Sequence, residues 1–262
     1  MKKIIRFVSS LFFSYFINFD SHKNKLCILT YHRVNDDPND KDSVSIKNFD
    51  LQMKFLKDNK FKVIKISEIG KFINSDKPIV CITFDDGYLD NYTNARKVLL
   101  RYNFKATFFV TTNFIGTSKK FFWDIRDCIN PKMMSWNHIK SLNDLGHEIG
   151  SHTKNHVDLG SKLTKAKIDD EITNSSFDLS RRLNKKIKSF AFPFGRNENI
   201  SNHSLDVAFK NYDFCCSAIR GIVNLPVKKN KILTRVSVRS FWNIHQFKLE
   251  LVGFFDFIEK FR

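Results

Sequence analysis

Short apolar runs recur along this chain, each followed by a segment of helical periodicity, and that alternation is the strongest constraint on its fold. The runs fall at residues 26–31, 61–66, 79–84, 106–111, 147–152, 189–192, 214–218 and 232–238. Several are apolar at consecutive positions, as strands buried on both faces require. Between them, residues 46–59 place Phe49, Met53 and Leu56 at spacings of four and three, with Ser45 a fitting N-cap. Residues 136–145 place Trp136, Ile139, Leu142 and Leu145 on one stripe and stop at Gly146, a good residue for leaving a helix. Residues 164–183 read as a longer polar helix with a narrow stripe through Ile168, Ile172, Leu179 and Leu183. Repetition of this kind winds into a parallel sheet under an outer layer of helices. The expected fold is α/β, a single irregular (β/α) barrel of about seven to eight strands. Its chemistry belongs at the C-terminal ends of the strands.

The run 79–84 ends in Asp85-Asp86-Gly87. Two acids leaving a hydrophobic strand are costly unless a cation compensates them, although Asp-Gly also serves as an ordinary polar turn. A second motif, His152-Thr153-Lys154-Asn155-His156, follows the run that starts at His147. If those residues coil, both imidazoles share a face and can bind one ion. Both motifs then open onto the same mouth. Two histidines and one aspartate make a three-ligand site that leaves positions open for water and substrate.

These motifs, followed by Phe190-Ala191-Phe192-Pro193-Phe194-Gly195, resemble the polysaccharide deacetylases of the NodB-homology class, carbohydrate esterase family 4. Tyr31-His32-Arg33-Val34 and Leu233-Thr234-Arg235-Val236 resemble the surface-polysaccharide branch, so the likeness runs over about residues 26–240. The resemblance implies a NodB-like barrel that removes acetyl groups from an acetylated glycan. It implies that Asp86, His152 and His156 bind a divalent metal, zinc first, with cobalt or nickel as alternatives. It makes Asp85 the general base and a metal-bound water the nucleophile. The Pro193 segment, with Phe194, would line the groove, and Tyr31 falls among the substrate-facing residues.

Two departures from the family pattern stand out. The 190–195 motif lacks the arginine that orients the base in many relatives, and Arg235 is the candidate replacement. No Leu-x-x-His motif follows Ile232, so the general acid is unassigned; His32, placed after the first strand, is the geometric candidate. His245 reads as an ordinary helix-surface residue. Trp123, beside Asp124, would either stack on a sugar ring or anchor its loop. The missing acid and arginine keep open a second reading, a non-catalytic carbohydrate-binding relative.

Charge and the chain ends bear on partners. With 44 Lys+Arg against 27 Asp+Glu the net charge is +17, which suits anionic neighbours. No basic helix with interleaved aromatics appears, so nucleic acid is not expected. Residues 1–25 join Lys2, Lys3 and Arg6 to an apolar run too short for a confident span, an interfacial helix or anchor on an anionic membrane, or a helix packed on the domain. Residues 26–240 form the deacetylase-like domain and 241–262 a C-terminal amphipathic helix. Five cysteines without a CxxC pair argue for reduced thiols. Placement in the cytoplasm or at the membrane periphery follows, with an exported form on an uncleaved anchor as the alternative.

Overall fold

Ile79–Phe84 is buried at all six positions, so both faces of this strand must be covered, and the sheet is built around it. The computed structural model of the chain describes residues 13, 17, 19, 23–72 and 74–256. Numbered in chain order, its main strands are β1 (Lys25–Tyr31), β2 (Lys62–Ile64), β3 (Ile79–Phe84), β4 (Thr107–Val110), β5 (Glu148–Ser151), β6 (Ser189–Ala191), β7 (Phe214–Cys216), β8 (Ile232–Leu233) and β9 (Val236–Ser237). They pair in parallel in the order β9–β1–β3–β4–β5–β6–β7–β8. One side of β3 runs along β1, from Leu26 opposite Ile79 to Tyr31 opposite Phe84. Its other side pairs first with β2 and then, over Thr83 and Phe84, with β4. The sheet is thus a nearly closed, barrel-like parallel sheet flanked by helices, the α/β barrel anticipated from the sequence. A short strand not foreseen, Val223–Asn224, adds antiparallel to Lys25 and Leu26.

Side chains alternate faces along each strand, and the alternation assigns the core. Leu26, Ile28, Ile79 and Cys81 belong to one cluster, whereas Cys27, Leu29, Tyr31, Val80, Ile82 and Phe84 belong to another that packs on the helices. Continuing the first set two residues at a time leads to Thr30 and His32 on β1 and to Thr83 and Asp85 on β3. Barrel-interior parity therefore delivers polar groups to the upper mouth. Cys27, Cys81, Cys215 and Cys216 are buried and free, and Cys128 is exposed and free, consistent with reduced thiols.

The helices start where their caps predict. Ser45 Oγ accepts the Asn48 N–H at 3.2 Å ahead of the helix Ile46–Asp58, which buries Phe49, Met53 and Leu56. Thr164 Oγ1 accepts the Lys167 N–H at 3.2 Å, opening the helical stretch 165–183. That stretch is not one regular helix: Asp170–Asn174 widens into a π-turn between two α-helical pieces.

The reading of 232–238 as one strand is corrected. β8 pairs with β7 at one edge of the sheet and β9 with β1 at the other, so the chain steps across the gap at Thr234 and Arg235. The buried Arg235 side chain turns inward at that step. Within the expected C-terminal helix, the described residues are helical over Ile244–Leu251 and then turn, with Gly253 in the left-handed region. Residues 257–262, and all of 1–25 except 13, 17, 19 and 23–25, lie outside the described residues, and with them most of the expected N-terminal anchor. Among the described residues no helix is long and apolar enough to cross a membrane.

His147 sits at the start of β5, 5% exposed, and its Nδ1 accepts the Ala106 N–H at 3.2 Å. Burial, with help from Lys105, pushes its pKa down to about 4. Because the folded value lies below the unfolded one of about 6.5, its contribution is complete above pH 6.5 and is lost as pH falls toward 4. Replacing His147 with Gln, which keeps an acceptor, is expected to reduce the stability lost between pH 7 and pH 5 by about 2 kcal/mol. Urea titrations of both proteins at the two pH values test this; an equal loss in both would refute it.

Candidate active site

The top of β3 ends in a backbone that only a few sequences tolerate. Asp86 and Gly87 both take positive φ, 74° and 92°, so the chain turns sharply over β4, where a Cβ on residue 87 would meet Val110 at 3.4 Å. Across the mouth Thr153 and His156 also take left-handed values, 63° and 57°, and Phe194 takes 58°. Non-glycine residues rarely hold such angles, and four of the ten that do among the described residues, Asp86, Thr153, His156 and Phe194, lie at or beside one cavity.

At its floor Asp86, His152 and His156 offer ligand atoms that all lie within 4.8 Å of one another. Asp86 Oδ1 lies 3.5 Å from His152 Nε2 and 3.3 Å from His156 Nε2. Both Asp86 oxygens are buried, yet neither accepts a hydrogen bond. His152 Nδ1 is 2.7 Å from the Ala191 carbonyl, which can only accept, so Nδ1 carries the proton and Nε2 presents its lone pair. Burial pushes the His152 ring down to about 4, which keeps it in the neutral, ligating form. Orphaned carboxylate oxygens beside a lone pair aimed inward fit a divalent cation.

Asp85, the next residue back, takes a different partner. Arg235 Nη1 and Nη2 donate to its two oxygens, each at 2.8 Å, and Arg235 Nε donates to the Ser217 carbonyl at 2.6 Å. Both side chains are almost fully buried. Burial alone would raise the Asp85 carboxyl, but the adjoining guanidinium outweighs it and holds the group below the usual carboxylate range. The adjacent acids are thus divided: one is clamped by an arginine, the other faces two imidazoles.

The cavity above them measures about 1030 Å³. His32, the candidate acid, is exposed on its wall. Phe122, Trp123, Phe192, Phe194 and Phe241 supply an apolar lining. Trp123 lines the cavity, and its indole N–H anchors it by donating to Tyr88 Oη at 2.8 Å. Phe121, Trp123 and Phe194 surround the His156 ring at centroid distances of 5.2, 5.0 and 4.9 Å. Pro193 is buried behind this wall, where its carbonyl accepts the Gly195 N–H at 2.6 Å.

One expectation changes. Tyr31 does not line the cavity; it has the outward parity of β1, donates to Gln52 Oε1 at 2.8 Å and packs on Phe49 and Phe84. Asp124, next to Trp123, is a buried anchor: it accepts from Arg33 at 2.7 Å and from Tyr88, and Arg33 also grips Asp40 at 2.7 Å. Tyr88 at the cavity wall was not singled out from sequence, although its place directly after Asp85-Asp86-Gly87 was the available signal. His245 lies on the Ile244–Leu251 helix and does not line the cavity.

Similarity to known proteins agrees with this geometry. The profile of the polysaccharide deacetylase family matches residues 73–210, more than half of the chain. The chain belongs to the polysaccharide deacetylase family. It is 30% identical over 176 residues to the Bacillus subtilis protein YxkH, covering 66% of this chain and 57% of that one. It is 28% identical over 167 residues to a poly-β-1,6-N-acetyl-D-glucosamine N-deacetylase of Staphylococcus aureus, covering 58% of this chain and 54% of that one. The chain thus spans little more than half the length of these curated relatives. In fold it superposes on the Streptococcus pyogenes deacetylase PplD, solved in complex with acetate, with a TM-score of 0.74 and 23% identity, over 87% of this chain and 98% of the other.

Proposed function

We propose that the chain removes acetyl groups by metal-dependent hydrolysis from an acetylated sugar in a cell-surface polysaccharide or its lipid-linked precursor. The observation that carries this reading is the Asp86–His152–His156 cluster with orphaned carboxylate oxygens, set beside the separately clamped Asp85. A divalent cation in that cluster, zinc first and cobalt or nickel after it, would supply Lewis acidity toward water and the acetyl oxygen. Asp85 then accepts the proton of the attacking water. Arg235 keeps Asp85 ionised and fixes its plane, leaving its remaining lone pairs for that proton. His32, exposed on the cavity wall just past β1 and beside the strand that carries Asp85, is placed to return a proton to the departing amine or alkoxide. Trp123 and Phe194 offer faces on which a sugar ring stacks. The basic surplus supports peripheral contact with an anionic membrane, and a cytoplasmic or membrane-peripheral location belongs to the same proposal.

The test is acetate release from acetylated glucosamine oligomers, before and after chelation and after zinc or cobalt is restored. Release that stops on chelation and returns with metal is expected. Release that is absent on several oligomers, or indifferent to chelator, would favour a carbohydrate-binding relative without turnover.

A further inference from the structure

His156 depends on a four-residue loop, 153–156, whose ends both sit in the left-handed region. Inside it the His156 N–H donates to Thr153 Oγ1 at 2.9 Å, and further backbone groups are held from outside. Part of its backbone is tied to the neighbouring crossover: the Thr112 N–H donates to the Thr153 carbonyl at 3.1 Å and the Asn113 N–H to the Lys154 carbonyl at 2.9 Å. The Lys154 and Asn155 N–H groups point the other way, and both end on one side chain. Glu171 Oε2 accepts them at 3.1 and 2.8 Å. Glu171 Oε1 accepts the Asn155 side-chain amide at 2.7 Å and lies 2.9 Å from Lys167 Nζ. The Asn155 amide oxygen is in turn held by Asn113 Nδ2 at 2.9 Å.

Glu171 is completely buried and stands on the π-turn Asp170–Asn174. Single π-turns inside α-helices often mark functional sites, since the extra residue re-aims side chains. A second π-turn, Asn91–Ala95, does comparable work on the other side of the mouth: Asn91 Nδ2 donates to the His32 carbonyl at 2.7 Å and Asn94 Nδ2 to the Val34 carbonyl at 2.9 Å. Both irregular turns reach into loops that carry cavity residues.

We propose that Glu171 is the positioning residue of the metal site: by gripping the backbone between His152 and His156 it sets the left-handed turn that aims the His156 imidazole at Asp86. The inference rests on the metal-site reading above. Glu171 touches neither the candidate ligand atoms nor the cavity, so its effect is transmitted through the loop. A carboxylate is needed because one oxygen must accept two convergent N–H groups, while the other takes an amide and an ammonium. A glutamine in its place must turn an N–H toward a donor on one side or the other.

The experiment compares Glu171→Gln with Glu148→Gln, using zinc affinity by chelator competition and the visible spectrum of the cobalt-loaded protein. Glu148 is another buried carboxylate, 7% exposed, at the opposite end of the barrel, where it accepts from Thr107, Ser189 and the Ser67 N–H. Glu171→Gln is expected to weaken zinc binding about 10–100-fold and to alter the cobalt bands, as loss of an outer-shell support does. Glu148→Gln should lower the melting temperature yet leave both metal readouts at wild-type values. If Glu171→Gln lowers only the melting temperature, its role is structural and the inference fails. If that variant does not fold, Asn155→Ala, which removes one of the four contacts, must still weaken zinc measurably; unchanged affinity there also overturns it. A wild-type protein that binds neither zinc nor cobalt would instead defeat the metal-site reading itself.

Discussion

Asp85→Asn is expected to lower kcat for acetate release by about 10²–10⁴-fold while leaving zinc affinity within a few-fold of wild type. The asparagine keeps the shape of the carboxylate and one acceptor for Arg235, but it cannot take a proton from water near neutral pH. Because Asp85 hydrogen bonds to Arg235 and lies outside the Asp86–His152–His156 cluster, metal retention is the discriminating half of the prediction. The same substitution leaves a buried guanidinium without its counter-charge, so a stability cost of about 3 kcal/mol accompanies it. Rates must therefore be compared per folded molecule, with circular dichroism reporting the folded fraction. Loss of zinc in Asp85→Asn would reassign that residue as a ligand. Near wild-type turnover would place the base elsewhere.

Removing a ligand should act on a different observable. Asp86→Ala and His152→Ala are each expected to weaken zinc by more than the 10–100-fold typical of outer-shell partners. The effect extends to stability. In the wild-type protein, zinc at 100 times its Kd should raise the unfolding free energy by about 2.7 kcal/mol, because only the folded chain brings the three donors together. In Asp86→Ala the increment should vanish. Thermal or urea unfolding with and without zinc measures it directly, independent of any substrate. An undiminished zinc-induced shift in Asp86→Ala would remove Asp86 from the site.

Much of this was legible in the chain because it is local. The apolar runs specify β1 and β3 to β7, since a strand buried on both faces needs little beyond consecutive apolar residues. The motifs lie at strand ends, so finding the strand finds the mouth on which Asp85, Asp86 and His152 open. Ser45 and Thr164 announce their helices through side-chain bonds only three residues long.

Other features had no local sign. Tyr31 and His32 are adjacent in a suggestive motif, yet side-chain parity sends Tyr31 into the helix layer and His32 to the cavity. The split of 232–238 arises because a sheet of this size leaves a gap that one segment must cross, a property of the closed sheet rather than of those residues. Glu171, with Lys167 four residues before it, reads as an ordinary exposed ion pair on a polar helix; only packing shows it buried under the histidine loop.

By itself, then, the order of residues determined the parallel α/β architecture, the strand ends that carry reactive groups and the family to which the chain belongs, because periodicity and short motifs are properties of neighbouring positions. How distant groups meet, including those that the family pattern suggested, was decided by the tertiary structure. Arg235 reaches Asp85 across 150 positions, and Glu171 reaches the loop that holds His156. Such pairings are fixed by where the sheet closes and by the cost of burying a charge without a partner, and neither quantity exists until the chain has folded.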